Sequence, residues 1–143
     1  VDFAPRLHGS FRPVGQTDSE RAFCWLMQEL AKSHAGVPSV QELTRTLREL
    51  VPQIAQHGTF NFLLSNGQAL WAHANTQLHY VLRRHPFSQA TLSDEDLSVN
   101  FAEHTRETDR VAVVVTQPLT TNEAWVAFEP GRVYTFEDGD LMR

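Results

Sequence analysis

The hydrophobic pattern of this chain changes its period part-way along, and that change limits the possible folds more than any other feature. Phe23, Leu26, Met27 and Leu30 recur at the i, i+3, i+4, i+7 spacing of an amphipathic helix. A second helical series runs from Val40 to Ile54, whereas from Thr59 onward the apolar residues form short strand-like runs. Helices first and strands afterwards predict an α+β fold with mostly antiparallel sheets.

Both helices carry start signals. The pairs Thr17–Glu20 and Ser39–Glu42 have the spacing of a capping box, in which two side chains satisfy free backbone N–H groups. The segment from Gly36 to Pro38 ends the first helix. Pro52 lies inside the second apolar series, so we expect a kink or an early end there.

Strands are predicted after Thr59, with residues 65–67 and 137–140 as hairpin turns. The run from Val111 to Val115 is continuously apolar and predicts a strand that is covered on both faces. Residues 88–100 are expected to form a polar connection with an extended stretch at residues 99–101, and residues 116–123 a loop whose polar side chains satisfy their own backbone. The predicted strands are residues 59–64, 69–74, 78–84, 110–116, 132–136 and 141–142.

The composition excludes several classes of protein. With 143 residues, the chain fits a single domain over 1–143. Twelve Lys and Arg against 17 Asp and Glu give a net charge of −5, which argues against a general nucleic-acid binder. One cysteine forms no internal disulfide, so we expect a reducing, cytoplasmic location. No apolar run approaches the roughly 20 residues that span a membrane.

Asp18 is the main candidate for ligand binding. An acid in the first turn of a helix can simply complement the helix dipole. Because Thr17 can cap the helix, Asp18 can alternatively accept hydrogen bonds from a ligand ammonium group, with Thr17 and Ser19 shaping the loop.

Other reactive side chains are weaker candidates. Cys24 lies deep in the first helix between apolar neighbours, which favours packing over reactivity. His73, His79 and His85 are six residues apart, without the spacing that brings imidazoles together on a metal, so we expect no metal site. An N-terminal nucleophile needs a hydroxyl or thiol, and Val1 has neither. The residues therefore offer no catalytic group of their own.

Four segments resemble a known family. The first is Phe11 to Glu20, which contains T-D-S-E, with the following Ala22 to Leu26, and the second is Phe60 to Gly67. The third consists of Arg83 to Phe87 and Ala90 to Leu92, and the fourth of Val113 to Trp125, which contains T-Q-P-L-T-T-N-E-A-W, and of Pro130-Gly131. In combination they are similar to the C-terminal portion of class II glutamine amidotransferases, most of all to the small stand-alone bacterial branch.

This resemblance implies an N-terminal-nucleophile hydrolase fold, an αββα sandwich that is incomplete in this chain. It implies hydrolysis of the glutamine side-chain amide to glutamate and ammonia, without a cofactor. In the family an N-terminal Cys attacks the amide, and the Asp of T-D-S-E holds the substrate α-ammonium. Only that Asp maps onto this chain, as Asp18. The resemblance therefore implies that this chain alone is inactive, and that a missing N-terminal segment or self-association completes it. Because an incomplete sandwich leaves apolar strand faces uncovered, residues 111–115 above all, we expect the chain alone to be poorly stable or to associate.

Two alternatives remain open at this point. The chain can belong to a γ-glutamyl amidohydrolase that acts on a small conjugate. It can also be a non-catalytic binding or regulatory domain derived from the same fold.

Overall fold

The computed structural model describes residues 3–87, 89–91, 98–100 and 106–142. Helices α1 (Asp18–Ser33) and α2 (Val40–Ala55) come first, and short strands follow. The strands are β1 (Asn61–Ser65), β2 (Ala69–Ala74), β3 (His79–Arg84), β4 (Gln89–Thr91), β5 (Ser98–Asn100), β6 (Arg110–Val115), β7 (Val126–Ala127), β8 (Val133–Glu137) and β9 (Asp140–Met142).

The two helix starts differ. At α2 the predicted capping box is confirmed, since the N–H of Ser39 donates to Glu42 at 2.7 Å and the N–H of Glu42 donates to Ser39 Oγ at 3.2 Å. At α1 only one of the two hydrogen bonds of the predicted capping box is present. Thr17 Oγ1 accepts from the Glu20 N–H at 3.2 Å, but the Glu20 carboxylate accepts from the preceding loop instead of from Thr17.

Helix α2 does not end at Pro52, so the predicted early end is wrong. The helix continues to Ala55. Val51 and Ile54, which flank Pro52, are buried at 1% exposure each. Because proline near a helix end removes little of the hydrogen-bond ladder, burial of these two side chains is enough to hold the last turn.

The strands form antiparallel sheets stacked beneath the helices. The larger sheet has the order β1-β2-β8-β9, a second has β6-β3-β7, and β4 pairs with β5. Trp71 and Val133 of the larger sheet pack against both helices, while Tyr134 and Phe136 pack against the second sheet. This helix–sheet–sheet order confirms the α+β prediction; the described residues contain one helix layer of the implied αββα sandwich.

Strand β6 is not covered on both faces as its apolar run predicted. Ala112 and Val114 pack between the sheets, but Val111 is 43% exposed and Val113 and Val115 are only half-buried. The strand lies at the edge of its sheet, and side chains alternate between faces. The described residues leave the outer face of β6 largely open.

Both predicted hairpins are present. In the β8–β9 turn, Asp138 and Gly139 have φ of 52° and 72°, as a tight hairpin turn of the Asp-Gly kind requires. Residues 88–100 do not form a plain connection, because β4 and β5 pair there; residues 88 and 92–97 lie outside the described part. No helix in the described part is long and apolar enough to cross a membrane.

Candidate functional site

The T-D-S-E segment forms the start of α1. Thr17 caps the helix, so the cap does not depend on Asp18. Asp18 is half-buried, and its Oδ1 accepts the N–H of Ser19 at 2.8 Å. The pKa of the Asp18 carboxyl is below its usual value, and the hydrogen bond that it accepts from the Ser19 N–H contributes to this shift. The carboxylate is therefore ionised at neutral pH.

Glu20 anchors the loop that leads into this helix. Its carboxylate accepts the N–H groups of Val14 at 2.5 Å and of Gly15 at 2.9 Å. Further back, the buried Gln28 accepts the His8 N–H at 2.9 Å. Sequence reasoning missed both contacts, because a capping box predicts a different partner for Glu20. Together they hold residues 8–15 against the helix that carries Asp18.

A small apolar cavity of about 70 Å³ lies beside the motif. Its lining includes Ser19, Phe23, Phe60 and Phe62, whereas Asp18 is not among its lining residues. The structure therefore places Ser19 at the cavity, and Asp18 and Thr17 at the adjoining helix entrance.

His73 is buried next to the aromatic side chains of this cavity. Its ring centre lies 4.7 Å from that of Phe60 and 5.6 Å from that of Phe62. Neither ring nitrogen makes a hydrogen bond. Burial lowers the pKa of His73 to about 4, and the nearby Phe60 backbone acts in the opposite direction. His73 is therefore neutral at physiological pH.

The three evenly spaced histidines lie in different surroundings. His73 is buried, His79 Nδ1 lies 3.1 Å from the Thr116 carbonyl oxygen, and His85 is exposed. Within the described residues there is no group of three or more His, Cys, Asp or Glu side chains that could hold a metal ion. Cys24 is buried at 7% exposure, which agrees with the predicted packing role.

A second polar cluster links β3 to the loop after β6. Arg83 donates to both carboxylate oxygens of Glu123, at 2.8 and 2.7 Å, and both side chains are largely buried. Thr120 Oγ1 donates to Glu123 at 2.8 Å and accepts the indole N–H of Trp125 at 2.8 Å. Arg83 lowers the pKa of Glu123. The expectation that this loop satisfies its own backbone is therefore wrong for Thr120 and Glu123.

Comparison with known proteins gives a consistent result. A family model described as "Glutamine amidotransferases class-II" matches residues 1–143. The Escherichia coli (strain K12) protein YafJ, which carries a provisional glutamine amidotransferase name, is 44% identical over 135 residues, 94% of this chain and 53% of its own length. A Haemophilus influenzae protein (strain ATCC 51907 / DSM 11121 / KW20 / Rd) with a similar provisional name is 40% identical over 131 residues, 92% of this chain and 45% of its own length.

A solved structure is also similar. The 2.0 Å crystal structure of a predicted glutamine amidotransferase from Pseudomonas aeruginosa PA01 superposes with a TM-score of 0.87 at 36% identity. The match covers 100% of this chain and 56% of that chain. The chain thus spans about half the length of the relatives it matches.

Proposed function

We propose that the complete protein hydrolyses the side-chain amide of glutamine to glutamate and ammonia, because this chain belongs to the class II glutamine amidotransferase family. The family match runs along the whole chain. The observation that carries the proposal further is the ionised Asp18 carboxylate at the start of α1.

Asp18 would recognise the α-ammonium group of the substrate. The amide that reacts is neutral, so an enzyme for glutamine needs charged contacts to the α-substituents to orient the amide. A carboxylate that stays ionised at neutral pH can supply one such charge-assisted contact. Thr17 supports this role by capping the helix, and Ser19 supports it by donating its N–H to Asp18.

We place the reacting nucleophile outside these residues. Cys24 provides the sole thiol of the sequence, and it is buried among apolar side chains of α1. A reactive thiolate needs an electropositive and partly open surrounding. We therefore propose that this chain alone is inactive and that it associates with a further segment of the complete protein or with itself.

The role of Asp18 is tested by steady-state kinetics of the complete protein. We expect Asp18→Asn to raise KM for glutamine by about tenfold or more, with a smaller change in kcat, because the variant loses a charge-assisted contact to the substrate. Glu107→Gln, at an exposed residue far along the chain, is the matched control and should leave KM unchanged. Unchanged glutamine kinetics in Asp18→Asn would show that Asp18 only complements the helix dipole and does not bind the substrate.

A substrate panel separates the remaining alternatives. Asp18 would contact only the α-amine, so it would serve any γ-glutamyl amide equally well. Faster turnover of a small γ-glutamyl conjugate than of glutamine would identify a γ-glutamyl amidohydrolase. If the complete protein released no product from any of these amides, it would be a non-catalytic binding or regulatory domain.

A further inference from the structure

A cleft of about 420 Å³ lies between α2 and the strands β8 and β9. Its lining includes Val40, Arg45, Arg48, Glu49 and Met142. The volume falls within the usual range of small-molecule sites, roughly 300–1,000 Å³. Nothing in the proposed hydrolysis of glutamine uses this cleft.

The cleft carries positive charge on an acidic chain. Arg45 and Arg48 are three residues apart on α2, so their side chains leave the same face of the helix. In the part of the chain that the structure describes, neither guanidinium makes a hydrogen bond or an ion pair. Glu42 accepts the Ser39 N–H and also interacts electrostatically with Arg45, and Glu49 lines the cleft beside the two arginines. Two guanidinium groups against one lining carboxylate leave the cleft wall with a net positive charge, which favours an anion, although the chain carries a net charge of −5.

The floor of the cleft is rigid. Thr135 is buried at 3% exposure, and its Oγ1 lies 3.2 Å from Thr44 Oγ1. Thr44 donates to the Val40 carbonyl at 2.7 Å and accepts the indole N–H of Trp71 at 2.8 Å. Because these hydroxyl groups are held by the helix and the sheet, the floor needs no rearrangement when a ligand enters.

The cleft is distinct from the Asp18 entrance. Ser19 of α1 and Ile54 of α2 line the same small cavity, so the start of α1 lies beside the end of α2. The cleft is lined by the opposite half of α2, from Val40 to Glu49. The two sites also differ in charge: the helix entrance carries a carboxylate, whereas two guanidinium groups and one carboxylate, that of Glu49, line the cleft.

We propose that this cleft binds a small ligand that carries an oxyanion, either a carboxylate or a phosphate group. Arg45 and Arg48 pair with the oxyanion, since a guanidinium fork matches the oxygens of both groups. Val40 and Met142 leave room for a short apolar part of the ligand.

Isothermal titration calorimetry on the complete protein tests this site, with inorganic phosphate and succinate as separate probes at constant ionic strength set by sodium chloride. We expect saturable binding of at least one probe, about tenfold weaker in Arg45→Gln and in Arg48→Gln and lost in the double variant. Arg21→Gln, an exposed helical arginine outside the cleft, is the matched control and should bind as the wild type does.

The two probes also identify the ligand. Saturation by phosphate alone supports a phosphate ligand, and saturation by succinate alone supports a carboxylate. The proposal is overturned if neither probe saturates, or if both arginine variants and the control weaken binding equally, because that pattern reports general screening of charge.

Discussion

At the scale of single residues, His73 shows how burial fixes the charge of a side chain. It lies fully buried against two phenyl rings, and neither ring nitrogen makes a hydrogen bond. An unpaired buried polar group lowers the free energy of unfolding by about 1–3 kcal/mol, so the protein is less stable than it would be with an apolar side chain here.

His73 should make stability depend on pH. The folded chain resists protonation of His73 down to a pKa of about 4, while the unfolded chain takes up the proton near 6.5. The free energy of unfolding therefore falls as pH drops from 7 to 5, by about 2 kcal/mol at most. We expect His73→Leu to flatten this dependence and to raise stability at pH 5, as measured by urea denaturation of the complete protein.

The exposed His85 provides the control for this measurement. His85→Gln should keep the pH dependence of the wild type. Glu123 does not contribute in this range, because its pKa is below the usual 4.5 and its stabilising effect is lost only at lower pH. An unchanged dependence in His73→Leu would show that other groups cause it.

At the scale of elements, the bidentate pair of Arg83 and Glu123 joins β3 to the loop after β6. The two side chains are only 16% and 11% exposed. Arg84 and Asp140 also form an ion pair, and their side chains are 51% and 36% exposed. This pair therefore serves as a surface pair with which the buried pair can be compared. The two pairs differ mainly in burial, which decides how much an ion pair contributes.

Loss of the buried pair should be costly. We expect Arg83→Gln and Glu123→Gln each to lower the free energy of unfolding by about 2 kcal/mol or more, because each breaks a largely buried bidentate ion pair. The double variant should lose less than the sum, with a coupling of roughly 1–3 kcal/mol in a denaturation cycle. Arg84→Gln should cost less than about 1 kcal/mol. Equal losses of unfolding free energy for the buried and the exposed pair would contradict the conclusion that burial makes the Arg83–Glu123 pair important for stability.

The β8–β9 turn provides a second test at this scale. Gly139 has φ of 72°, and a Cβ atom there would collide with the backbone of Arg110 in β6. Gly131 has φ of 85° but open space around it. Gly131→Ala should cost about 1 kcal/mol for its backbone conformation alone. Gly139→Ala should cost about 1–3 kcal/mol more, because it also separates β9 from β6. Equal thermal stability of the two variants would exclude this close approach.

At the scale of the whole molecule, local sequence patterns predicted the helices and strands better than they predicted the contacts between distant residues. The limits of β2 match the prediction of residues 69–74, since the preceding Asn-Gly turn is a local signal. The Arg83–Glu123 pair was not predictable, because 40 residues separate its members in the sequence. The apolar run of β6 predicted cover on both faces, but the described residues leave one face exposed, as expected for the incomplete sandwich that the resemblance implies. Of the candidate site, the sequence predicted Asp18 at the helix start, but not that Ser19 is the residue at the cavity.

The open face of β6 bears on association of the chain. Val111 is 43% exposed beside half-buried Val113 and Val115. We expect the purified 143-residue chain to self-associate through this face, and Val111→Lys to shift it toward the monomer in sedimentation velocity. Val37→Lys, at a fully exposed residue between the helices, should not have this effect. A monomeric wild-type chain at the same concentration would contradict the expectation.

The most direct test of the central claim compares two substrates in two forms of the complete protein. Ammonia release is measured for glutamine and for its analogue without the α-amine, with the wild type and with Asp18→Ala. If Asp18 holds the α-ammonium group, loss of the amine should lower kcat/KM of the wild type by about tenfold or more and leave that of the variant nearly unchanged. If Asp18→Ala instead lowers kcat/KM equally for both substrates, Asp18 does not recognise the amine.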